Sequence, residues 1–152
     1  MSEFNPVWKL DSIEIGVSAT SATPPVWTYA VLCKGIKSMT LNMNENNVQQ
    51  QYLCGDGFAH NEVTGAAPEI DVTGDRVVGD TAQDYIAGLQ FKIGPDRESM
   101  VKVTHGNKVI TVPCVISDIV TIGGNAVDLI PFNCKIRFNG KPTVTDAPAN
   151  NG

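Results

Sequence analysis

Through much of the chain, apolar and polar residues alternate with a period of two, the pattern of half-buried β-strands. Ile13, Ile15 and Val17 share one phase, and Trp27, Tyr29 and Val31 share another, separated by a Ser/Thr/Ala/Pro loop at 18–25. Met39, Leu41 and Met43 then fall on one face of a strand whose other face carries Ser38, Thr40, Asn42 and Asn44. This strand is expected to be half buried. The amide-rich run Glu45 to Gln51 leads through Tyr52-Leu53-Cys54 into the turn-forming Gly55-Asp56-Gly57, which predicts a long hydrated hairpin. Few large apolar residues lie between Phe58 and Pro68, so that stretch is expected to be a loop.

The period changes to that of a helix only once. Asp80 is placed to cap its start and Gln83 stands three residues on, as in a capping box, while Tyr85, Ile86 and Leu89 form a short apolar stripe. The helix is expected to end near 90–93, ahead of Gly94-Pro95, and to pack on a sheet. The last third predicts a β-meander. Strands at 101–104 and 108–122 flank His105-Gly106-Asn107, and Gly123-Gly124-Asn125 leads into a strand over 127–138. Ile130, Phe132, Cys134, Ile136 and Phe138 occupy its core phase, and Asn133, Lys135 and Arg137 its polar phase. Pro113 lacks a ladder donor, which places it at an edge or a bulge.

Composition narrows the function. The 152 residues fit one domain, taken as 1–142 with a flexible tail at 143–152, and a chain of this size buries roughly two-thirds of its unfolded surface. With 42% hydrophobic and 18% charged residues the chain is globular, and a formal charge of −5 argues against tight binding of nucleic acid. The start, Met1-Ser2-Glu3-Phe4-Asn5-Pro6, does not follow a secretory pattern, and no stretch approaches the roughly 18 apolar residues of a membrane span. A cytoplasmic protein without a membrane anchor is expected. Cys33, Cys54, Cys114 and Cys134 form no Cys-x-x-Cys pair and are expected to be reduced and largely buried.

The residues offer little chemistry. His60 and His105 stand outside any nucleophile pattern; Cys54 with His60 is the best pairing for a cysteine enzyme and matches no mechanism-bearing motif. Asp71, Asp75 and Asp80 lack the dense ligand spacing of a calcium loop and are better explained by turns and caps. Gly123-Gly124 precedes no helix that would bind a phosphate. No catalytic residue, metal or cofactor is assigned.

Three stretches carry a family likeness: Tyr52-Leu53-Cys54-Gly55-Asp56-Gly57-Phe58, the segment from Thr73 through Asp80 and Gln83 to Ile86, and Ile136-Arg137-Phe138-Asn139-Gly140-Lys141-Pro142-Thr143. In that order and spacing the chain resembles the tail tube proteins, or major tail proteins, of siphovirus-type long-tailed bacteriophages, over about 34–143. The resemblance implies a mainly-β, sandwich or barrel-like tail tube fold with one short flanking helix. It further implies homo-hexameric rings stacked into a hollow tube that conducts DNA without gripping it. The implied partners are copies of the chain and tape-measure, tail-tip and tail-terminator proteins, in a virion tail assembled in the host bacterial cytoplasm.

On this basis Ser38, Thr40, Asn42, Asn44, Gln49 and Gln51 are expected to face the lumen, where hydroxyls and amides are hydrated without binding phosphates. Gly55, Asp56, Gly57, Phe58, His60, Asn61 and Glu62 are expected in a ring-stacking loop that ends at Pro68, with the termini as further stacking candidates. A phage capsid-decoration or adhesin-like β-domain is the alternative.

Overall fold

The alternating segments pair as antiparallel strands, and the amide-rich run beyond them pairs only with the segment that follows it. The structure, a computed structural model, describes residue 4, residues 6–23 and residues 25–146. In chain order the elements are α1 (Val7–Leu10), β1 (Asp11–Ala19), β2 (Trp27–Val31), β3 (Ile36–Asn42), β4 (Asn46–Gln51), β5 (Ala59–Gly65) and β6 (Glu69–Asp75). They continue with α2 (Thr81–Gly88), β7 (Glu98–His105), β8 (Lys108–Val120), β9 (Pro131–Phe138) and β10 (Thr143–Asp146). Eight strands form one sheet in the order β2-β1-β7-β8-β9-β6-β3, with β10 added against β8; β4 and β5 form a separate hairpin.

The large sheet curls into an open barrel. Its end strands β2 and β3 are joined by residues 32–35 alone, and β1 faces β3 across two adjoining cavities of about 410 and 470 Å³ that share Asp11 and Met39. The seam of the barrel therefore runs between β1 and β3. Inside lie the residues selected by the alternation, among them Ile13 and Ile15, Ile70 and Val72, Val101 and Val103, and Phe132, Cys134 and Ile136. Helix α2 packs against β1, β2 and β8 and adds Ala82, Ile86 and Leu89 to the same cluster. Burial of each large apolar side chain contributes roughly 1.5–3 kcal/mol, so this cluster is the main source of stability.

The expected mainly-β, barrel-like fold with a flanking helix is the one the chain adopts, with a one-turn helix α1 in addition. Pro113 sits where its missing donor does least harm. On one side of β8, residues up to Thr111 pair with β10 and residues from Cys114 pair with β9, so Pro113 occupies the break between the two ladders. The Pro113 carbonyl closes that break by accepting from the Asn139 amide at 2.8 Å.

Several local expectations change. Residues 59–65, expected as loop, form β5, whose side chains are exposed except for the half-buried Ala59, so burial leaves no alternation to read. The strand expected from Val127 begins at Pro131. Asp128 Oδ2 accepts from the Asn125 amide at 2.8 Å and holds a turn, leaving Val127 and Leu129 exposed and Ile130 half exposed. Cys114 and Cys134 are buried, but Cys33 and Cys54 are exposed. Residues 143–146 of the expected tail pair with β8 as β10, whereas 147–152 lie outside the described residues.

The helix start is half as expected. Asp80 Oδ2 caps the Gln83 amide at 3.2 Å, but the Gln83 side chain does not return to Asp80. It is fully buried, accepts from the Val77 amide at 2.7 Å, and donates to the carbonyls of Lys34 at 2.8 Å and Asp75 at 3.1 Å. One glutamine thus ties α2 to the β6–α2 turn and the β2–β3 link.

Candidate assembly surface

Register places the polar sides of β3, β6 and β9 on one outer face, because residues directly opposite in antiparallel strands share a face. Thr40 pairs with Asp71 and Asp71 with Lys135; Asn42 pairs with Glu69 and Glu69 with Arg137; Ser38 pairs with Thr73 and Thr73 with Asn133. The expected lumen residues Ser38, Thr40 and Asn42 therefore form one margin of a continuous polar surface.

Charges on this face are matched across strands. Arg137 reaches Glu69 at 2.6 Å and Asp118 at 3.2 Å, and its Nε donates to Ser117 Oγ at 2.9 Å. Lys135 Nζ stands 3.9 Å from Glu69 and 4.0 Å from Asp71, and Asn42 Nδ2 donates to Asp71 Oδ2 at 3.0 Å. Partly exposed pairs of this kind each contribute about 0–1 kcal/mol, so their main effect is to cancel charge. The face is hydrophilic and nearly balanced in charge.

The other expected lumen residues lie elsewhere. Asn44, at a left-handed φ of 48°, donates to the Ala67 carbonyl at 3.0 Å where the chain leaves β3. Gln49 and Gln51 belong to the β4–β5 hairpin, opposite Asn61 and Ala59, in a two-stranded sheet of its own. The fold therefore does not bring these six residues onto one surface.

The expected stacking loop is this same hairpin. Six residues of β4 reach about 20 Å at the usual rise, and cross-strand amides stiffen the arm, with Asn46 Nδ2 bonded to Thr64 Oγ1 at 2.6 Å and Asn47 Nδ2 to Asn61 Oδ1 at 3.2 Å. Gly55, Asp56, Gly57 and Phe58 make the tip, where Asp56 and Gly57 adopt positive φ; His60, Asn61 and Glu62 lie on β5. Leu53 is fully exposed and Phe58 is 80% exposed. The sequence reading missed this apolar tip, although two large apolar residues bracketing a Gly-Asp-Gly turn have no core of their own to enter.

Chemistry is sparse around these surfaces. Cys54 and His60 are both exposed on the arm with no hydrogen bond between them, and the His60 ring lies 6.2 Å from that of Tyr52. Burial pushes the thiols of Cys114 and Cys134 up to about 12, with a smaller contribution to each from Cys134 and Asp71 respectively. Among the described residues no three His, Cys, Asp or Glu side chains gather as metal ligands, and no helix is long and apolar enough to cross a membrane.

No protein-family model and no curated protein matches the chain. Solved structures do. A chain in the tail of an empty GTA particle, computed with helical refinement in C6 symmetry, superposes with a TM-score of 0.68 at 14% identity, covering 93% of this chain and 99% of that one. A chain in the virion of a native gene transfer agent particle superposes with a TM-score of 0.63 at 15% identity, covering 90% and 96%. The two matches, nearly end to end in both directions, establish that the chain shares its whole fold with proteins of particle tails and virions.

Proposed function

We propose that the chain is a structural subunit of a phage-type tail, six copies of which close a ring, the rings stacking into a hollow tube that conducts DNA during ejection. The near-complete overlap with a chain of a C6-symmetric particle tail carries this reading. The free margins of the sheet, β2 and β3, favour it, because exposed strand edges in a monomer invite aggregation and a ring covers them with neighbours.

The outer face of β3, β6 and β9 is the surface we assign to the lumen, with Ser38, Thr40 and Asn42 on it. Its hydroxyls, amides and compensated charges would let DNA pass without the multiple lysine or arginine contacts that bind phosphates. From Ser38 to Asp75 the chain contains Glu45, Asp56, Glu62, Glu69, Asp71 and Asp75 and no lysine or arginine, so the hairpin arm is acidic as well. Assembly in a bacterial cytoplasm and contacts with tape-measure, tail-tip and tail-terminator proteins complete the proposal.

Sedimentation velocity over rising protein concentration, followed by negative-stain imaging of the heaviest species, tests it. Six-fold rings or tubes are expected. A chain that remains monomeric throughout and binds a capsid or a cell surface instead would replace this reading with that of a decoration or adhesin domain.

A further inference from the structure

The open seam and the unpartnered hairpin tip are complementary. The two cavities along the seam form one apolar groove, floored by Ile13, Met39 and Ile110 and flanked in its wider part by the exposed Trp8 and Val31. No described residue fills it. Among the described residues the hairpin pairs with no other strand, and its tip presents Leu53 and Phe58 to solvent. β4 follows β3 through the bend at Asn44, and no residue of the hairpin lines either cavity, so the chain's own tip does not enter the groove.

Charge distinguishes this groove as the partner surface for the arm. Glu45, Asp56 and Glu62 make the arm acidic, with no lysine or arginine to offset them. The wider part of the groove is lined by Lys37, which is paired with Asp75 at 3.4 Å, whereas Lys34, next in sequence to the lining residue Cys33, is exposed and without an ion pair among the described residues. Asp11, which also lines the groove, is already paired with His105. We infer that the groove between β1 and β3 receives the tip of the β4–β5 hairpin from a second copy of this chain, with Leu53 and Phe58 entering the apolar floor and Asp56 meeting Lys34. Such docking rests on the tube assembly proposed above, since a neighbouring subunit must bring the second tip to the seam.

Two native cysteines report on the contact: Cys54 is exposed at the tip, and Cys33 is exposed on the lining of the groove. A short bismaleimide added to assembled full-length protein is expected to join Cys54 to Cys33 of another copy, giving a ladder of covalent oligomers. The ladder should vanish in Cys33→Ser and in Cys54→Ser. Leu53→Asp with Phe58→Asp, both solvent-facing in the single chain, should preserve the circular-dichroism melt and raise the concentration needed for assembly at least tenfold. Lys34→Glu should weaken assembly, and adding Asp56→Lys should restore it.

Wild-type rings or tubes that give no Cys33–Cys54 link, or a tip variant that assembles at the wild-type concentration, would overturn the docking and leave the tube intact. Wild-type protein that never assembles would remove both.

Discussion

The side-chain amide of Gln83, a residue with no solvent exposure, donates to the main-chain carbonyl of Lys34 at 2.8 Å and joins residues 49 positions apart. This bond ties α2, which packs against β1, β2 and β8, to the link that brings β2 round to β3. Gln83→Ala strips partners from the Val77 amide and the Lys34 and Asp75 carbonyls. Leaving a buried polar group unpaired costs about 1–3 kcal/mol, and a loss of at least that size is expected as a lowered denaturant midpoint.

Arg76 and Asp84 give a pH-dependent lock beside it. Arg76 Nη2 bonds to Asp84 Oδ1 at 2.8 Å, and this bond, followed by one from the Gly79 amide, holds the Asp84 carboxyl below its ordinary value of 3.8. A depressed folded-state value stabilises the fold when the group is ionised. The contribution is complete above about pH 4 and disappears as pH falls through the folded-state value. Asp84→Asn should therefore melt lower than wild type at neutral pH, and the two melting curves should converge in acid.

Gly74 lies against the backbone of the β2–β3 link. A Cβ there would collide with the Gly35 carbonyl and approach the Ile36 Cα to 2.8 Å, and the Asp75 amide bonds to that same carbonyl at 2.8 Å. Backbone cannot yield as a side-chain tip does. Gly74→Ala is expected to cost about 1–3 kcal/mol, measurable by chemical denaturation.

The cysteines divide into two classes. Cys33 and Cys54 should titrate rapidly with a thiol reagent in the native protein at pH 8, while Cys114 and Cys134, buried and pushed up to about 12, should react only after denaturant is added. Rapid modification of all four in the folded chain would mean that the barrel opens readily.

If the outer face of β3 lines a lumen, cationic substitutions there should make DNA adhere. Thr40→Lys with Asn42→Lys places two charges per subunit on that face. Assembled variant tubes are expected to retain DNA at low salt and release it steeply as salt rises, and phage carrying them should eject more slowly. Unchanged retention and ejection would place this face outside the lumen.

Legibility followed burial. Phe132, Cys134 and Ile136 were readable because only one side of β9 enters the core, and the same alternation put Ser38, Thr40 and Asn42 together on the opposite side of β3. The barrel architecture itself came from the family resemblance, which the superposed particle-tail chain supports at the level of fold. β5 was hidden because it faces solvent almost entirely, and Gln83 because its partners at Lys34 and Asp75 are set by the tertiary fold. Gln49 and Gln51 continue the polar run of β3 in sequence, but the bend at Asn44 carries them into a separate sheet.

Cryo-electron microscopy of the assembled wild-type protein, resolved far enough to trace β3, tests the central claim directly. The expected map is a six-fold ring in which Thr40 and Asn42 border the pore and α2 lies toward the periphery. A ring with α2 at the pore and the β3–β6–β9 face outermost would contradict the account.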